Sequence, residues 1–112
     1  MDASDRTGAS GPPRLRVEVL VSYMPTPTCM QLIRLFQDLL TRYPDQLRLD
    51  VYKAGEQPSL APTQGFIAAG KHKKVPSAFV NGRLVAAAEV PSVEDVEAVV
   101  REELARGSSE WQ

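Results

Sequence analysis

The chain has 112 residues, with 13 Lys plus Arg against 14 Asp plus Glu and a formal charge of −1, which is enough sequence for one hydrophobic core and not for two. A net charge that small excludes recruitment of nucleic acid or an anionic membrane by a global field, so electrostatic recognition has to be local. No run approaches the length of a membrane span, the first residues lack the pattern of a secretory signal, and one cysteine forms no internal disulfide, so the expectation is a soluble cytoplasmic protein.

Residues 1–13 are rich in Gly, Ser, Asp, Ala and Pro and read as a disordered tail, as do residues 107–112 apart from Trp111. Residues 14–106 form the predicted domain. In "LRVEVLVSY" the alternation of Leu15, Val17, Val19 and Val21, with Leu20 on the other face, predicts a well-buried first strand. From Thr28 to Tyr43, Leu32, Ile33, Leu35, Phe36, Leu39 and Leu40 recur at helical spacing, with Gln31, Arg34, Gln37, Asp38 and Arg42 on the other face. Pro44 and Asp45 end that helix, and Leu47, Leu49 and Val51 in "QLRLDVYK" restore the period of two. Strand, helix, strand in that order predicts a crossover between parallel strands.

Pro58, Pro62, Gly65 and Gly70 interrupt the next segment and leave room for one short helix around Thr63–Ala69. Asn81-Gly82, between two β-prone runs, supplies the positive φ angles of a type I′ turn and predicts a hairpin. Ser92 then caps a last helix carrying Val93, Val96, Val100 and Leu104. The predicted fold is α/β, with the element order βαβαββα.

Two junctions in this order carry a family resemblance. "PTPTC" stands where the first strand turns into the first helix, and "VPSAFVNGRLV" leads into the hairpin. With the element order, these make the chain resemble the thioredoxin and glutaredoxin superfamily over residues 14–106. The resemblance implies a mixed four-stranded sheet ordered 2-1-3-4, with the first and third helices covering its faces. It also implies that Pro76 is a cis-proline and that the Val75 backbone offers hydrogen bonds to an extended partner. The family's Cys-x-x-Cys motif is not intact, and two registers are open. In one, Thr26 caps the helix, Pro27 is its first residue and Cys29 takes the resolving position, so dithiol exchange is lost because a Thr hydroxyl forms no disulfide. In the other, Thr28 is the cap and Cys29 is the nucleophile, with its sulfur near unpaired N–H groups. The glutaredoxin Gly-Gly-Cys-Asp run is replaced here by "AAAEVPS". A third possibility is that Cys29 is a small buried hydrophobe.

Other patterns carry less. Lys71, His72, Lys73 and Lys74 form the one basic cluster, placed by the resemblance within reach of Cys29, where they raise its thiolate fraction or attract an acidic ligand; otherwise they are a solvated loop. One Cys and one His make no metal site, and no cofactor motif occurs. Tyr23, Phe36, Tyr43, Tyr52, Phe66 and Phe79 stand at core-like positions rather than on an RNA-stacking platform. Met24 and Met30 flank the turn, either as core filling or as an adaptable apolar lip.

Three functions follow as expectations. The first is a thioredoxin-fold protein without dithiol activity that binds a peptide or thiol-containing partner between Thr26, Pro27, Thr28 and Cys29 on one side and Val75-Pro76 on the other. The second is a single-thiol redox enzyme using Cys29, with Thr28 orienting it. The third is a structural interaction domain with a relic site, and a homodimer is compatible with any of them.

Overall fold

The computed structural model describes residues 15–56, 61–69 and 74–106; the two tails and Lys71, His72 and Lys73 lie outside them. The elements are β1 (Leu15–Val21), α1 (Pro27–Arg42), β2 (Leu47–Lys53), α2 (Gln64–Ala68), β3 (Ser77–Val80), β4 (Arg83–Ala87) and α3 (Val93–Arg106). The four strands form one sheet ordered β2-β1-β3-β4. β1 runs parallel to β2 and antiparallel to β3, and β3 pairs antiparallel with β4. This is the βαβαββα arrangement of a thioredoxin-like fold.

β1 is central, so both of its faces are covered. Leu15, Val17, Val19 and Val21 point to one face and pack with Leu32, Leu35, Phe36 and Leu39 of α1 and Val96 and Val100 of α3. The first and third helices therefore share one face of the sheet rather than covering both. Each fully buried Leu or Phe in this layer contributes about 1.5–3 kcal/mol relative to exposure. The opposite face carries Leu20 and a smaller cluster of Tyr52, Phe66 and Phe79, whose rings meet edge-on at centroid distances of 4.9 and 5.1 Å. Phe66 brings α2 over that face.

The same face of β1 carries a polar network that alternation on the strand disguises. Arg16 and Glu18 are buried. Arg16 donates to Asp50 at 2.8 Å, to the Tyr52 hydroxyl at 2.7 Å and to the carbonyl of Ala61. Glu18 accepts from the Tyr52 hydroxyl at 2.8 Å, from the Thr63 amide at 2.9 Å and from the Thr63 hydroxyl. Each polar atom in this chain of contacts has a partner, as burial requires, and the network ties residues 61–63 to the centre of the sheet. Thr63 also caps α2 by accepting from the Phe66 amide.

The hairpin turn forms at Asn81 (φ 51) and Gly82 (φ 84), the positive angles that a two-residue turn needs. Ser92 caps α3 through Asp95 N–H at 3.1 Å. Two side chains depart from their predicted placement. Val51 is 41% exposed, because β2 is an edge strand and has a neighbour on only one side. Tyr23 is 65% exposed, because it belongs to the turn after β1 and not to the strand's covered face.

Candidate functional site

Leu20 pairs with Ser77, so the chain leaves β1 toward α1 and enters β3 from Val75-Pro76 at the same end of the sheet. The Val75–Pro76 peptide bond is cis. Pro76 is buried and Val75 is 39% exposed. Ser77 follows, and its hydroxyl is buried without a hydrogen-bond partner.

α1 starts at Pro27 with Thr26 as its cap. The cap is Thr26 rather than Thr28, because the Thr26 side chain accepts from Cys29 N–H at 3.2 Å and Pro27 supplies the fixed φ and missing donor that suit a first helical residue. Cys29 is thus the third helical residue. It turns inward, at 0% exposure, onto the α1 face of the core. The Thr26 hydroxyl donates to its sulfur at 3.3 Å, and the Ser22 hydroxyl lies 3.8 Å from it while donating to the Met24 carbonyl at 2.6 Å.

Burial pushes the Cys29 thiol up, but the hydroxyl of Thr26 and further hydrogen bonds from Ser22 and Thr26 outweigh it, bringing the pKa from the ordinary 9.0 to about 7. Because the folded value is the depressed one, the stabilisation is fully present above pH 9, and it is lost as pH falls toward 7. Wild-type stability, measured by urea unfolding against a Cys29→Ala reference, is expected to rise from pH 7 to pH 9 by up to about 2 kcal/mol. Thr26→Val is expected to flatten that rise and to cost about 1 kcal/mol more through loss of the cap. A slope unchanged in Thr26→Val would show that the hydroxyl does not set the thiol's acidity.

The short Thr26-to-Cys29 contact also makes Thr26→Cys informative. A sulfur on the Thr26 rotamer lies beside Sγ, so mild oxidation should close a reducible bridge within the turn. Persistence of two free thiols under oxidising conditions would contradict this geometry.

Large apolar side chains close to Cys29 in sequence are exposed. Met24 is 76% exposed and Met30 53%, so neither fills the core; with Tyr23 and Pro27 they border the turn. Pro27 and Met30 also begin a shallow groove of about 350 Å³ along α1, continued by Gln31, Ile33, Arg34 and Gln37. Of the basic cluster, Lys74 lies among the described residues and is exposed. Among the described residues no group of three or more His, Cys, Asp or Glu is placed to hold a metal ion, and no helix is long and apolar enough to cross a membrane.

Sequence reasoning missed three features of this region. It did not foresee the approach of Ser22 to the sulfur, because that depends on how the turn folds back. Nor did it find the unpartnered Ser77 hydroxyl or the groove along α1, although exposed Met30 one turn from Pro27 on a helical wheel was a usable signal. Comparison with known proteins adds no family: no family model matches the chain and no curated protein matches it, so its thioredoxin-like fold rests on the order and pairing of its own elements.

Proposed function

We propose that this chain is a thioredoxin-fold binding protein without dithiol chemistry. It holds an extended peptide or a thiol-containing partner between the Thr26–Cys29 turn and the Val75–Pro76 loop, through backbone hydrogen bonds at Val75 and apolar contacts with the lip. The observation that carries this reading is an inversion of what catalysis needs: the sulfur is at 0% exposure, while Tyr23, Met24, Met30 and Val75 expose 65, 76, 53 and 39% of their surface. Large exposed apolar side chains are the material of a recognition surface, and methionine adapts to varied partners.

A second reading has an observation of its own. The thiol at about 7 is acidic enough for a single-thiol redox enzyme, provided that the turn opens to admit a substrate. Selection of random peptides on the immobilised protein, followed by Met24→Asp and Met30→Asp, separates these ideas. The binding reading expects peptides rich in apolar residues that lose affinity for both variants and retain it for Cys29→Ser. Selection of no peptide would favour a structural domain with a relic site.

A further inference from the structure

We infer that the partner is an acidic apolar peptide that continues from the lip onto the outer face of α1, setting an apolar side chain against Pro27, Met30 and Ile33 and a carboxylate against Arg34. This rests on the binding reading above and adds the partner's chemistry to it.

All but one of the arginines among the described residues meet a carboxylate. Arg16 and Arg48 meet Asp50, Arg42 and Arg101 meet Glu97, Arg83 meets Glu102, and Arg106 meets Glu103. Arg34 is the one arginine among the described residues with no carboxylate or hydrogen-bond partner, even though Asp38 stands one helical turn on. It is also the one charged residue lining the groove. In water an unpaired guanidinium costs nothing. Once an apolar segment lies over Met30 and Ile33, however, Arg34 loses solvent, and an incoming carboxylate offsets that loss more fully than a neutral carbonyl does.

The remaining lining fits a peptide rather than a small hydrocarbon. Gln31 and Gln37 stand on either side of Arg34 in sequence, and each amide carries both donors and an acceptor suited to an extended backbone. Met30 belongs to both the lip and the groove, so one continuous segment can reach both. A lysine-bearing segment is disfavoured by Arg34, and a wholly apolar one leaves it desolvated.

The test uses the full chain and three labelled, capped octapeptides that alternate leucine with glutamate, glutamine or lysine, read by fluorescence anisotropy. Glutamate peptide is expected to bind about tenfold more tightly than glutamine peptide, with the lysine peptide weakest. Arg34→Gln, on an exposed helix face, should leave the fold intact and erase the glutamate preference, and Arg34→Glu should transfer it to the lysine peptide. Equal binding of the glutamate and glutamine peptides, lost in Met30→Asp, would overturn the role of Arg34 and leave the binding reading standing. Binding of none of the three would remove both. A groove closed by self-association, seen as a dimer by sedimentation that Arg34→Glu disperses, would also overturn the inference, since the occupant would be a second copy.

Discussion

Glu18→Ala is expected to destabilise the protein by about 3–5 kcal/mol, seen as a lower urea midpoint with an unchanged slope. The carboxylate is at 0% exposure at the middle of the sheet. It is the acceptor for the Tyr52 hydroxyl and for both the amide and the hydroxyl of Thr63. Removing it strands three buried donors, each costing about 1–3 kcal/mol, and opens a cavity against the Phe66 and Phe79 rings. Arg16 then keeps Asp50 and the Tyr52 oxygen but loses the nearby carboxylate. Glu18→Gln retains the shape and one acceptor oxygen, so it should cost less than half as much. A Glu18→Ala protein within about 1 kcal/mol of wild type would mean that the 61–63 segment is not held by this network.

Gly65→Ala tests the same packing from the other side, and its sign decides between two accounts. A glycine placed in a short helix merely as a breaker becomes more favourable as alanine, by about 0.5–1 kcal/mol. Here, however, a Cβ on Gly65 would come within 2.0 Å of the Gly82 carbonyl oxygen and 2.6 Å of its carbonyl carbon. Gly82 cannot retreat, since its turn is fixed by the β3–β4 ladder and by Asn81 N–H donating to the Arg16 carbonyl at 2.7 Å. The expected result is therefore a loss of about 3 kcal/mol, with α2 pushed off the sheet and Phe66 more exposed. Gly55→Ala is the control: its surroundings are empty but its φ is +89, so it should cost only about 1–2 kcal/mol, from backbone strain. A stabilised Gly65→Ala would contradict the close approach.

Much of the fold was legible because local chemistry and global packing agree. The type I′ turn at Asn81-Gly82, the Thr26-Pro27 start of α1 and the Ser92 start of α3 each solve a backbone problem within a few residues. What stayed hidden depends on contacts distant in sequence. Glu18 reads as a polar residue facing water until Thr63, 45 residues on, arrives to cover it. Glu103 falls on the apolar stripe of α3 beside Val96 and Val100, where periodicity predicts a hydrophobe, yet it is buried beneath Arg106 and receives the Asn81 amide at 3.3 Å. Gly65 reads as a breaker because its neighbour across space is invisible in one dimension. At the site, the residue types identified the turn but left the cap open between Thr26 and Thr28, and the inward aim of Cys29 and the outward aim of Met30 depend on how α1 is rotated about its axis.

That rotation is the point on which binding and catalysis part. The most direct test is the rate at which native Cys29 reacts with an aromatic disulfide reagent at pH 6, set beside the same chain unfolded in urea and a free thiol. A sulfur at 0% exposure reacts only through opening of the turn, so the expected native rate lies about 100-fold or more below that of the unfolded chain, although its pKa of about 7 leaves more thiolate. A native rate above that of the free thiol at pH 6 would contradict the account and identify Cys29 as a working nucleophile.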